Sequence, residues 1–266
     1  MLNINSRDNP RFRLACRLVK QPRLLKKQGL AVAEGLHLLQ DLVGWPGLQI
    51  NQVWLGESML LHTEWAGLCG QLLDRPDKPE LYVIPDMLYW QLSELNSGAG
   101  PLTVFELPGP QSMPASACDV LLIDGVQDPG NLGTLIRTAA AAGLHEVWTT
   151  PVTAWVWQAK VLRAGMGGHR WVNFRGYTPE LLPVWLDECL SICTDLDAVE
   201  SLFDVDLTHP TLWMVGSEGE GVSPAWKAQA SHRVHIPHQA AVDSLNVAVA
   251  TGVCLFEQLR QRRAKG

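Results

Sequence analysis

Three short stretches in the second half of the chain carry side chains that can do chemistry where a ligand could reach them. In DGVQDPGNLGTLIRTAAAAG, Asn131 and Arg137 lie six residues apart, nearly two helical turns. In WMVGSEGEGVS, Glu218 stands among Gly216, Gly219 and Gly221. In VHIPHQAAVDSLNVAVATGVCLFE, Ser244 and Asn246 open the last helical run. Amides and a hydroxyl hydrogen-bond without carrying charge, and a guanidinium fork suits a phosphate. Glycines after a buried strand let backbone approach a ligand closely. Taken singly these residues have ordinary readings: Asn131 or Ser244 as helix caps, Arg137 as a surface side chain, the glycines as a turn. The glycine spacing is neither GxGxxG nor a Walker loop with its lysine, which excludes a dinucleotide or pyrophosphate cradle.

The elements around these stretches set their position. DVLLID reads as a buried strand, and NLGTLIRTAAAAG as a helix stopped by Gly143. HEVWTT, WVNF, SICTDL, TLWMVG and RVHIP read as further strands, and WVWQAKVLRAG as a helix. Thr178-Pro179 and Ser223-Pro224 each have the cap and first-turn proline that open a helix. Continuous apolar strands alternating with helices imply a parallel sheet covered on both faces. In such sheets ligands bind beyond the carboxyl ends of the strands. The proline-rich stretch Leu107–Ala117 reads as a linker. Before it, LAVAEG, INQVWLG, ELYVIP and LTVFEL are candidate strands. Helices are expected after Gly35, around Leu60–Leu73 and from Asp86 to Leu95, giving a small α/β domain. The expected division is 1–106, a linker 107–117, and 118–266.

The net charge is −6, which by itself argues against a nucleic-acid partner, but the charge is uneven. Eight of the 21 basic residues fall between Arg7 and Lys27, where Asp8 is the only acid. A second basic group runs from Lys160 to Arg175, and a third ends the chain. The leading group is either a phosphate-binding surface or a solvated helix face. No export signal and no run of about 18 apolar residues appears, so no membrane span and a cytoplasmic location are expected. The six cysteines lack a CxxC pair and read as reduced thiols; Cys189 and Cys193 could share a helix face. His232, His235 and His238 fall in an extended segment, where residues three apart point to opposite faces and their rings would not converge. No metal site is expected.

Taken together and in this order, NLGTLIRTA, GSEGEG and SLNVAVATGVCLFE resemble the three motifs of the SpoU (TrmH-type) RNA 2′-O-ribose methyltransferases of the SPOUT superfamily. The resemblance covers nearly all of Asp119–Arg263. It implies an α/β fold whose C-terminal parallel-sheet domain contains a deep trefoil knot. It also implies methylation of a ribose 2′-hydroxyl in structured RNA, above all large-subunit rRNA, with S-adenosylmethionine as donor and no metal. The family's polar motif residues fall on Asn131, Arg137, Glu218, Ser244 and Asn246. Its backbone contacts to the donor fall on Gly216, Ile236 and Leu245. The stretch NSRDNP to AVAEGLHLL looks like the small α/β/α, ribosomal-protein-like domain with which rRNA-directed members bind substrate. The family also implies a homodimer, for which Val247, Val249, Val253, Leu255 and Phe256 of the last helix supply apolar surface. Ala240 stands where many members have glycine. A tRNA substrate and a non-catalytic RNA-binding protein of the same fold are the alternatives.

Overall fold

The computed structural model describes all residues except 94–99, 110, 178–186, 240 and 266. The chain forms two compact units, Met1–Pro110 with Trp157–Arg170, and Gln111–Val156 with Trp171–Gly266. The Thr178-Pro179 helix start and Ala240 lie outside the described residues.

In the first unit the elements follow as β1 (Leu2–Asn3), α1 (Pro10–Lys20), α2 (Pro22–Gln28), β2 (Leu30–Glu34), α3 (Leu36–Val43), β3 (Ile50–Gly56), α4 (Thr63–Leu73), β4 (Glu80–Ile84), α5 (Asp86–Leu92) and β5 (Leu102–Glu106). The sheet order is β1-β4-β3-β5-β2. The first three strands run parallel, and β5 is antiparallel to both its neighbours. The helix Ala159–Gly165, α7 in chain order, packs on β2 of this unit. Trp157 lies beside it, 6.3 Å from Trp45 and 6.4 Å from Phe105, centroid to centroid. Asn9 caps α1, its side chain accepting from the Arg11 N–H, and Pro10 occupies the first turn. Both α1 and α2 are basic, and all eight basic residues from Arg7 to Lys27 are exposed.

The second unit contains β6 (Val120–Asp124), α6 (Pro129–Ala142), β7 (Glu146–Thr149), β8 (Asn173–Gly176), β9 (Leu190–Thr194), β10 (Glu200–Ser201), β11 (Thr211–Gly216), α8 (Pro224–Lys227), β12 (His232–His235) and α9 (Val247–Lys265). Among the described residues its seven strands, in the order β10-β12-β9-β11-β6-β7-β8, are all parallel. The central strands β11 and β6 are buried along their whole length, as expected of a parallel sheet covered on both faces. Helices α6 and α9 pack against each other. Trp213 on β11 is fully buried and donates its indole N–H to Gln258 of α9 at 2.8 Å. That bond satisfies a polar atom that burial would otherwise penalise.

Candidate active site

The carboxyl ends of β9, β11 and β12 converge on one cleft of about 260 Å³. All of its lining residues belong to the second unit. Gly216, at the end of β11, begins its floor. A Cβ on Gly216 would stand 1.9 Å from the Gly221 backbone carbon, so only glycine fits. The loop closes through the Gly221 N–H, which donates to the Ser217 carbonyl at 2.9 Å. Gly221 itself has φ +67°. Buried Asp124, at the end of β6, accepts from the Ser223 N–H at 2.8 Å and ties the far end of the loop to the sheet. The result is a rigid turn presenting backbone groups to the cleft.

Asn131 sits in the first turn of α6. Asp128, not Asn131, caps that helix, its carboxylate accepting from the Asn131 N–H at 2.8 Å. The Asn131 side chain is therefore released for other contacts. Its amide N–H donates to Glu218, and its oxygen accepts from the Asn246 amide at 2.9 Å. Asn246 in turn caps α9, its oxygen accepting from the Ala248 and Val249 N–H groups at 2.9 and 3.3 Å. Ser244 is thus not the cap of the last helix. It lines the cleft with Gly216, Glu218, Ile236 and Leu245.

The structure brings seven of the eight sequence-derived residues to this cleft or its rim: Gly216, Glu218, Ile236, Ser244 and Leu245 as lining, Asn131 through its bond to Glu218, and Asn246 through its bond to Asn131. Arg137 stands apart. It is exposed on α6 and, among the described residues, has no hydrogen bond or ion pair.

Sequence reasoning missed one wall. Asp195 follows β9, with its side chain 4% exposed, and pairs with Lys227 at 3.1 Å and Arg233 at 2.9 Å. Burial works to raise its pKa, but the hydrogen bonds from Arg233 and Lys227 outweigh this and hold the carboxyl below its usual range. Both Asp195 and Lys227 line the cleft. The TDLD run just past a strand end was the available signal. The three histidine rings make separate polar contacts, His238 with the Ile236 carbonyl at 2.7 Å. His232 and His235 both reach Glu200, one at its carboxylate and one at its carbonyl, each at 2.9 Å, because β10 pairs alongside β12. Cys193 lies in β9 and Cys189 just before it, so they share no helix face. Burial pushes the Cys193 thiol up to about 11, unsuited to reaction as thiolate.

Glycine-lined backbone, uncharged hydrogen-bonding side chains and a held carboxylate suit the binding of a small polar molecule beside a second, larger substrate. Known proteins resemble the chain in sequence and in fold. The SpoU rRNA Methylase family matches residues 119–256. An uncharacterized tRNA/rRNA methyltransferase of Synechocystis sp. is 32% identical over 271 residues, covering 98% of this chain and 95% of the relative. The 23S rRNA (guanosine-2′-O-)-methyltransferase RlmB of Bordetella pertussis is 39% identical over 152 residues, spanning 54% of this chain and 60% of that protein. The solved SpoU methyltransferase AviRb from Streptomyces viridochromogenes, in complex with the cofactor AdoMet, superposes with a TM-score of 0.84 at 25% identity, covering 96% and 99% of the two chains. With the family match running over residues 119–256 and a 32% identical relative aligned along 98% of the chain, the chain belongs to the SpoU rRNA methylase family.

Proposed function

We propose that the chain transfers a methyl group from S-adenosylmethionine to a ribose 2′-hydroxyl of large-subunit rRNA. The observation that carries this reading is the hydrogen-bonded series Glu218–Asn131–Asn246 at the rim of a glycine-floored cleft. The names of the rRNA-directed relatives and the AdoMet-bound AviRb structure support it.

When bound, the donor supplies an electrophilic sulfonium methyl, and this chemistry needs no metal. The backbone of Gly216, Ile236 and Leu245 would hold its nucleoside. The harder task falls to the protein: a ribose hydroxyl is neutral at pH 7 and has to be aligned and eased of its proton. Asn131 has one amide N–H and one oxygen lone pair committed, which leaves one of each for a sugar hydroxyl. Ser244 offers a further donor and acceptor at the cleft. Glu218 acts through Asn131 as a positioning residue. The guanidinium of Arg137 is exposed and stands away from this cleft within one chain, so its fork, suited to a substrate phosphate, would meet the developing alkoxide at the cleft of a second copy, stabilising it rather than taking its proton.

The finer parts of the reading extend this. The second unit carries a trefoil knot, the first unit is the RNA platform, the protein works as a cytoplasmic homodimer, and α9 supplies much of the dimer contact. Deleting the gene and mapping ribose methylation across total RNA tests the core of it. Loss of one rRNA 2′-O-methyl mark is expected. Loss of a tRNA mark instead would move the substrate, and an unchanged map would overturn the catalytic reading.

A further inference from the structure

The cleft is strongly acidic for a site facing a polyanion. Asp195, Asp197, Glu218 and Glu220 line it, against Lys227 as its one lysine or arginine among the described residues. Lys227 and Arg233 are committed to Asp195. Asp197, Glu218 and Glu220 have no cation within ion-pair distance among the described residues, and all three are exposed to the cleft. The cleft therefore carries an uncompensated negative field. Resting on the reading of this cleft as the donor site, we propose that its carboxylates select the donor by charge, holding the sulfonium form and releasing the spent thioether.

The physical basis is that donor and product differ by one methyl and one unit of positive charge. Methyl transfer breaks the bond from sulfur to the methyl carbon, and the bonding pair stays on sulfur, which becomes neutral. The methyl joins the ribose oxygen, and the hydroxyl proton leaves to solvent. Every carboxylate in the cleft loses an attraction at that moment. At several ångströms through a largely aqueous cleft, one unit charge shifts an equilibrium about threefold. Four carboxylates against Lys227 and Arg233 leave two net negative charges, which favour the donor by about tenfold at low salt. The same field repels RNA phosphates from the cleft interior, so only the neutral sugar edge enters while the backbone is held elsewhere. An acidic catalytic unit is in this sense fitted to a cationic donor rather than at odds with an RNA substrate.

Calorimetry on the full-length protein tests this with three probes: S-adenosylmethionine, S-adenosylhomocysteine, and sinefungin, in which a protonated amine on carbon replaces the sulfonium. The two cationic probes are expected to bind about tenfold tighter than the neutral one in low salt. The gap should shrink severalfold in about 1 M salt and in the Asp197→Asn, Glu220→Gln double variant, whose exposed positions leave folding intact. Equal affinity for all three probes in the parent protein would overturn the proposal, as would a gap that neither salt nor the double variant alters. Absence of binding by every probe would overturn both the proposal and the donor-site reading beneath it.

Discussion

The side-chain amide of Asn246 donates to the side-chain oxygen of Asn131 at 2.9 Å, across 115 residues of sequence. The same Asn246 caps α9 through its own oxygen. One residue thereby fixes the start of a 19-residue helix and the orientation of the amide that bonds Glu218 at the cleft. Stability and site geometry share a single side chain, and substitution can separate them.

Asn246→Asp keeps an oxygen for the helix N–H groups and adds a charge that the helix N-terminus favours. It cannot donate to Asn131. Its unfolding free energy should stay near that of the parent, while turnover falls by at least about tenfold. Asn246→Ala loses both functions and should cost about 1 kcal/mol of stability as well. Denaturant melts and single-turnover rates on the two variants check this. Parent-like turnover in the aspartate variant would show that the amide-to-amide bond is dispensable.

Acid should open the wall formed by Asp195. Its pKa is depressed by Arg233 and Lys227 against the effect of burial. A depressed folded-state pKa means that the contribution is complete above the ordinary aspartate value, about 3.9, and is lost as pH falls through the lower folded value. Melting temperature followed from pH 7 to 3 should drop more steeply below about pH 4 in the parent than in Asp195→Asn. The variant should be the less stable of the two at pH 7. Parallel curves would show that the pair contributes little.

Local chemistry made much of this legible in the sequence. Pro129 and Gly143 bound α6 because cap, proline and left-handed glycine act within a few residues. The buried strands of the second unit were readable because a sheet covered on both faces needs continuous apolar runs. What failed were matters of distance along the chain. The two-residue β1 exists only because β4 pairs with it. Trp157–Arg170 reads in sequence as part of the second half, yet it packs with the first unit. Asn131 looked like a helix cap until Asp128, three residues earlier, proved to hold the helix N–H, which freed Asn131 for Glu218. No period or spacing announces a contact spanning 87 residues. The motif order pointed to residues of which all but Arg137 gather at the cleft or beside it, while the wall of Asp195 and Lys227 was marked only by the TDLD run.

The dimer proposal has a direct handle on α9. Leu255 is buried within its own unit, while Val249 and Phe256, two turns apart, remain 55% and 48% exposed. Exposed aromatic and branched side chains on one helix face suit association. The parent is expected to sediment at twice 29.3 kDa at micromolar concentration. Phe256→Glu should shift it toward monomer and reduce turnover together. A parent that sediments only as a 29.3 kDa species would end the dimer reading.

RNA affinity should come from the first unit's leading helices, though not equally from each cation. Arg11 is engaged with Glu80 at 3.4 Å and with the Tyr82 hydroxyl, and Arg13 with Asp8 at 2.5 Å. Arg17 and Lys20 are exposed and have no ion pair among the described residues. Arg175, in the second basic group, is spent on buried Glu146 at 2.8 Å and on the carbonyls of Gln111 and Ser112, so it leaves the set of phosphate contacts expected from sequence. Each phosphate contact contributes about 0.7–0.9 to the slope of log affinity against log salt. Replacing Arg11, Arg13, Arg17 and Lys20 by alanine should weaken RNA binding and flatten that slope by about 2, with Arg17 and Lys20 accounting for most of it. Donor binding should be unchanged. Arg137→Ala should do the reverse, with a large loss of turnover and a modest loss of RNA affinity. If the four-alanine variant keeps the parent's affinity and salt slope, α1 is only a solvated face and the RNA is held elsewhere.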